Sequence, residues 1–259
     1  MNSNIQDDRA MVSPVWSFWK TIGISVFVIV GGNFLIQYLI IGGHILFATF
    51  QKTQFAWSRE YLLKFTDDLI HRSSFISESI LVSDVISIIM ILYFTALKDK
   101  GNMKNYLGFN PVKPVPFLAW QIIMVAFYFG ANYIVSQSYL EEPAFMKFMK
   151  NIFNSQSVLD LFLIILAVVV VVPLFEEIMF RGFMYTGILQ SRVGIFGAIL
   201  IPSAFWSLIH IQYEVIWILF IFVMGVLFTL ARYFTGSIYT VIGMHAVNNF
   251  FSIINILQP

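Results

Sequence analysis

The chain has 259 residues, of which 59% are hydrophobic and 11% are charged, whereas roughly a quarter of the residues in ordinary soluble domains are charged. This much apolar surface excludes a soluble globular protein, and several apolar runs reach the roughly 20 residues that a helix needs to cross a bilayer. A net charge of +1 gives no reason to expect a nucleic-acid partner, and the absence of cysteine excludes disulfides and thiolate chemistry. The composition therefore predicts an all-α membrane protein.

Hydropathy predicts a polytopic bundle of about seven transmembrane helices. In chain order the predicted spans are Thr21–Leu46, Ile80–Leu97, Phe117–Tyr139, Val158–Leu189, Phe196–Ile211, Val215–Tyr233 and Ser237–Ile256. The first apolar run is far longer than the core of a signal peptide, so we expect it to be retained as a helix. We treat the chain as one membrane domain, with N-terminal helices in residues 1–157 and a polar cluster in residues 158–259.

The segment Gln51–Ser79, between the first two spans, mixes aromatic and aliphatic residues with charged ones. Such a mixture predicts an amphipathic helix that lies in the membrane interface. Asp84 and Asp160 fall near predicted span ends, where exposure to the headgroups would explain their charges.

The loop after the second span is rich in lysine, with Lys98, Lys100, Lys104 and Lys113. The positive-inside rule places this loop, and with it the N-terminus, in the cytoplasm. Seven spans then place the C-terminus outside. We expect an integral plasma-membrane protein, and the short loops without soluble domains suggest a bacterial source.

Ionisable residues inside a membrane span cost about 2.5–3.5 kcal/mol each on insertion scales, so each needs a physical reason. The fourth span contains Glu176, Glu177 and Arg181, shortly after Pro173. Glu177 and Arg181 are four residues apart and can pair on one helix face, whereas Glu176 is turned about 100° away. A buried carboxylate without a partner suits general acid or base chemistry. The alternative is that the glutamates end the span at the headgroups and Arg181 anchors it there.

Two of the four histidines also fall in apolar segments, His210 at the end of the fifth span and His245 in the seventh. His245 and Asn249 are four residues apart, so they can present a ring nitrogen and an amide toward one point. This arrangement suits metal ligation or the stabilisation of an oxyanion. Each histidine alone would more simply form an interhelical hydrogen bond. Together with the acidic pair, however, these groups supply a base, polarising groups and oxyanion donors, which favours an active site.

Three motifs resemble those of the CPBP family, which includes the type II CAAX prenyl endopeptidases and the Abi proteins of bacteriocin processing and immunity. They are Glu176-Glu177-x-x-x-Arg181, an aromatic residue (Trp206) four before His210, and His245-x-x-x-Asn249. The resemblance covers about Val158–Ile256. The family usually has Phe at the position of Trp206, and both side chains are large aromatics that can line a cavity.

The resemblance implies an intramembrane endopeptidase in which Glu176 activates water with the help of His210. His245 and Asn249 would stabilise the oxyanion, and the other two residues of the first motif would orient the site. Glu176, His210 and His245 could instead form a three-ligand zinc site with an open position. We favour a glutamate-activated water without an obligatory metal.

The depth of the site in the membrane adds a structural expectation. Glu176 lies past the middle of the fourth span, while His210 lies at the far end of a span that runs the opposite way. The two meet only if the fourth helix continues to about Leu189 and the fifth is short or re-entrant. We therefore predict a long fourth helix.

The expected substrates are membrane-associated or lipid-modified peptides or proteins. The main alternative is a non-catalytic membrane scaffold or a bacteriocin-immunity protein that acts by binding. A transporter with a Glu/His proton relay is a third hypothesis, and the absence of visible internal repeats argues mildly against it.

Overall fold

The computed structural model describes residues 15–51, 58–138, 141–154 and 157–257, and these ranges contain helices and connecting turns but no strand. Helices dominate because a backbone in lipid must satisfy its own hydrogen bonds. In chain order we label them α1 (Phe18–Ala48), α2 (Arg59–Ile70), α3 (Ser73–Asp99), α4 (Met103–Leu107), α5 (Pro114–Ser136), α6 (Ala144–Asn154), α7 (Val158–Leu189), α8 (Gly194–Leu208), α9 (Val215–Thr235) and α10 (Ile238–Leu257). The predicted all-α membrane bundle is confirmed.

Six of these helices are long and apolar enough to cross a membrane, namely α1, α3, α5, α7, α9 and α10. The predicted span Phe196–Ile211 is instead α8, which has only 15 residues. At about 1.5 Å per residue it is roughly 22 Å long, shorter than the roughly 30 Å hydrocarbon core. The predicted count of seven is therefore not confirmed, whereas the predicted long fourth span is confirmed by the 32 residues of α7.

The polar segment after α1 is shorter than predicted. Its described part forms α2, whose inward side includes Tyr61, Phe65 and the buried Leu69. The first residues of the predicted segment, 52–57, lie outside the described residues, as does Tyr139, the predicted end of the third span. A second helix with one strongly apolar side, α6, was not predicted.

The helix α3 begins at Ser73, seven residues before the predicted start at Ile80. Its serine-rich first turns lowered the hydropathy, yet Ser73 and Ser77 are buried. The Ser77 hydroxyl is satisfied within the helix, since its Oγ donates to the carbonyl of Ser73 at 3.0 Å. The earlier start moves Asp84 into the interior of the helix. Its interpretation as an exposed residue at a span end is wrong.

The second half of α7 is the centre of the bundle, since every residue from 175 to 188 is buried. The short helix α4 is tied to the C-terminal end of α7 by the bond from Thr186 Oγ1 to the carbonyl of Tyr106, at 2.8 Å. Just after α4, the carbonyl of Gly108 accepts the backbone N–H of Ile238 at 2.8 Å. Gly108 has φ +79° and lies against Arg232, where a Cβ atom would meet the guanidinium at 2.2 Å, so only glycine fits there. These contacts place the end of α7 beside the start of α10, antiparallel to it.

Candidate active site

The side chains of Glu176 and Glu177 point in different directions from α7 and have different neighbours, as their helical positions predict. Glu176 is 7% exposed and lines a cavity of about 610 Å³. Glu177 is fully buried and is not among the residues that line the cavity. Two π-helical stretches, Ala167–Val171 and Ile178–Met184, flank the short α-helical turn that carries both carboxylates. Such local widening of a helix is frequent at functional sites because it changes where side chains point.

Glu177 joins Arg181 to His245 through a single oxygen. Arg181 Nη1 donates to Glu177 Oε1 at 3.0 Å, which is the pair that the spacing predicts, and Arg181 Nη2 donates to the carbonyl of Gly225 at 3.1 Å. His245 Nδ1 lies 2.8 Å from the same Glu177 oxygen. Because a carboxylate accepts, His245 Nδ1 carries the proton and its Nε2 is directed away from Glu177. The sequence did not reveal that this pair orients His245.

The free side of His245 faces Glu176. His245 Nε2 lies 3.8 Å from Glu176 Oε2, and Trp206 Nε1 donates to that oxygen at 2.5 Å. Trp206 is also covered by the guanidinium of Arg181, which lies 4.5 Å from the ring centre. The indole N–H therefore holds the Glu176 carboxylate in place, which phenylalanine could not do because its side chain has no donor. From the sequence we expected Trp206 only to line the cavity. Its indole N–H, which can donate to a carboxylate, was the feature that could have indicated the hydrogen bond to Glu176.

His210 lines the same cavity but makes no hydrogen bond to Glu176. It follows the end of α8, and its Nδ1 lies 2.8 Å from the carbonyl of Trp206, four residues earlier. A carbonyl only accepts, so a neutral His210 has its proton on Nδ1 and an accepting Nε2. The structure thus places all four predicted catalytic residues around one cavity and brings His245 Nε2 within 3.8 Å of Glu176.

Asn249 also lines the cavity, and its amide is committed to the backbone of α7. Asn249 Nδ2 donates to the carbonyl of Val168 at 2.8 Å. Val168 lies in a π-helical stretch, where a carbonyl is paired with the N–H five residues later. That residue is Pro173, which has no N–H. Asn249 supplies the missing donor, and its second amide hydrogen is the one left for an oxyanion. Asn248, not singled out from the sequence, donates to Asn249 Oδ1 at 3.2 Å.

The cavity walls are mainly aliphatic and aromatic side chains from α1, α3, α6, α7 and α10. Its size lies within the roughly 300–1,000 Å³ of typical ligand pockets. Tyr213, in the turn before α9, is part of the rim near α6, where its hydroxyl contacts Met146 Sδ at 3.9 Å. Burial, together with the neighbouring Glu214 carboxylate, raises the pKa of Tyr213 to about 12. Its phenol is therefore neutral at physiological pH.

The three residues named for a zinc site do not form one in this structure. Within the described ranges, no three His, Asp or Glu side chains are grouped so that they could hold a metal ion. His245 is turned between the two glutamates, and His210 is held by the backbone at Nδ1. These contacts point the two histidines at different partners, so their nitrogens do not converge with Glu176 on one point as a three-ligand zinc site requires.

Residues 158–251 match the family model described as type II CAAX prenyl endopeptidase Rce1-like. The matched range includes all the residues of the three motifs, so the resemblance inferred from them is confirmed over this part of the chain. No curated protein and no solved structure matches the chain. The match indicates a protease, and the six apolar helices make it an integral membrane protein.

Proposed function

We propose that this chain, whose residues 158–251 match the Rce1-like CAAX endopeptidase model, is an intramembrane endopeptidase that uses Glu176 to activate water. The observation that carries the proposal is the position of Glu176. Its carboxylate lines a cavity of about 610 Å³, with the Trp206 N–H on one oxygen and His245 3.8 Å from the same oxygen. A base beside a polarising group in a concave site is the arrangement that hydrolysis requires.

In the proposed reaction, Glu176 takes a proton from a water molecule while the oxygen of that water attacks the carbonyl carbon of the substrate peptide bond. The carbonyl oxygen becomes an oxyanion. Asn249 donates its second amide hydrogen to that oxyanion, and His245 stabilises it in its doubly protonated form, with a proton on Nε2 as well as on Nδ1. The proton on Glu176 then passes to the amide nitrogen as the carbon–nitrogen bond breaks, so the carboxylate is regenerated. The accepting Nε2 of His210 would help to orient the water.

The cavity also supports a membrane-associated or lipid-modified substrate. Its walls are mostly apolar, which suits a hydrophobic peptide or an attached lipid chain. The helix α6, the last residue of α2 and the turn at Tyr213 all contribute to the lining, so the cavity lies toward the end of the bundle opposite the lysine-rich loop. If that loop is cytoplasmic, as the positive-inside rule favours, the cavity opens toward the outer side.

The decisive experiment is comparative peptidomics of cells that carry the wild type, Glu176→Gln or Glu141→Gln. Glu141 is a matched control because its side chain is 90% exposed. Peptides released by the wild type and by Glu141→Gln should disappear with Glu176→Gln, at equal protein levels and equal thermal stability. Unchanged processing in the Glu176 variant would overturn the proposal and would instead fit a scaffold that acts by binding.

A further inference from the structure

A second buried carboxylate faces the same cavity from the other half of the chain. Asp84 on α3 is 3% exposed and lines the cavity together with Glu176. It accepts one hydrogen bond, from Asn33 Nδ2 on α1 at 2.6 Å. Asn33 is itself fixed by Gln37 Nε2, which donates to Asn33 Oδ1 at 3.0 Å. The two amides hold Asp84 in one position without neutralising it.

No Lys or Arg is among the described residues that line the cavity, and Arg181 is engaged by Glu177 and by a backbone carbonyl. The basic side chains that do line it are His210, which is held at Nδ1 by a backbone carbonyl, and His245, which lies beside Glu176 and Glu177. Asp84 and Glu176 line the same cavity, and two carboxylates of like charge repel each other. The hydroxyl of Ser79, also on this wall, is buried and has no hydrogen-bond partner. A carboxylate held in apolar surroundings without a cation is costly.

We propose that the missing cation comes from the substrate, and that Asp84 binds the side chain of a Lys or Arg near the bond to be cleaved. This inference rests on the proposed peptidase function. The apolar walls would cover the aliphatic stem of the basic residue, while its charged end would meet Asp84. Asp84 is thus a specificity-determining residue, and Glu176 remains available for water.

The structural alternative is that Asp84 only joins α3 to α1 through Asn33. The substitution Asp84→Asn distinguishes this structural role from cation binding, because an asparagine oxygen can still accept from Asn33 whereas the negative charge is lost. The matched control is Asp99→Asn, the same substitution at the C-terminal end of the same helix, since Asp99 is not among the residues that line the cavity.

Binding is measured without catalysis, on full-length protein in lipid nanodiscs with Glu176→Gln as the background. The probes are dodecylammonium and dodecanol, which share a chain and differ in charge. Asp84→Asn should weaken dodecylammonium binding by about tenfold or more, as expected for the loss of a charged hydrogen bond, and should leave dodecanol binding unchanged. Asp99→Asn should change neither. Equal dodecylammonium affinity with and without Asp84 would overturn the cation site.

A second measurement needs no variant of Asp84. The bonds whose cleavage depends on Glu176 are mapped in cells with the wild type, and Lys or Arg should be enriched at one fixed position beside them. Cleavage that depends on Glu176 but shows no such enrichment would refute the role of Asp84 in specificity and leave the peptidase intact. The opposite result is also possible. If Asp84→Asn loses dodecylammonium binding but the wild type cleaves no peptide, the cation site stands and the peptidase proposal fails.

Discussion

Replacing Arg181 by Met tests whether the buried ion pair organises the site. Arg181 and Glu177 are both fully buried, and their closest atoms are 3.0 Å apart. Arg181→Met keeps most of the side-chain volume but removes the guanidinium that pairs with the Glu177 carboxylate. Glu177 Oε2 already lacks a hydrogen-bond partner, so the carboxylate would retain only the contact with His245.

The expected loss of stability is large for a single substitution. Removing one partner of a buried pair costs about 3–5 kcal/mol, because the other charge stays buried without compensation. Native proteins are stable by only about 5–15 kcal/mol in total. Removing both charges is far less harmful, so Glu177→Gln together with Arg181→Met should recover about 2–3 kcal/mol relative to the sum of the single variants.

The assay is equilibrium unfolding in mixed micelles with increasing dodecyl sulfate. It compares the wild type, Glu177→Gln, Arg181→Met and the double variant. The control is Lys150→Met, which breaks the pair of Lys150 with Glu142, 2.9 Å apart and partly exposed. An exposed pair contributes about 0–1 kcal/mol. If Arg181→Met destabilises the protein no more than this control, the reasoning about the buried charge is refuted. The double variant should fold yet lose cleavage, since its His245 is no longer oriented by a carboxylate.

Two further predictions concern the hydrogen bond to Glu176 and the orientation of the chain. Trp206→Phe removes the N–H donor and keeps an aromatic wall, so the rate of release of the Glu176-dependent peptides should fall about tenfold, as for the loss of a bond to a charged acceptor. An unchanged rate would show that the N–H has no part in the reaction. The chain contains no cysteine, so Lys100→Cys and Glu141→Cys can each be labelled singly with an impermeant maleimide. In intact cells only the cysteine at 141 should react, and the reverse pattern would invert the proposed topology.

Local spacing explains what could be predicted from the sequence. The pair Glu177–Arg181 and the separation of Glu176 from it follow from helix geometry alone, and both are present. The length of α7 also followed, because Glu176 and His210 could otherwise not share a site. Continuous apolar composition then fixed the remaining long helices, although it overestimated α8, where an apolar run continues into the turn at Ile209.

Contacts between helices explain what was missed. The bond from His245 to Glu177 and the bond from Trp206 to Glu176 join residues 68 and 30 positions apart. Which faces meet depends on the packing of the whole bundle, and no local pattern encodes it. Asp84 was misread for a different reason, since buried serines lowered the hydropathy of the first turns of α3 and moved its predicted start.

The two halves of the cavity suggest a division between reaction and selectivity. The matched residues 158–251 supply Glu176, His210, His245 and Asn249, whereas Asp84 and Asn33 come from α3 and α1, outside that range. If Asp84 selects a basic residue, the preference belongs to the N-terminal half and can change without altering the chemistry. Asp84→Asn should then redirect cleavage toward neutral residues while Glu176 remains essential, and loss of all cleavage in a stably folded Asp84→Asn variant would show that the two halves are not separable.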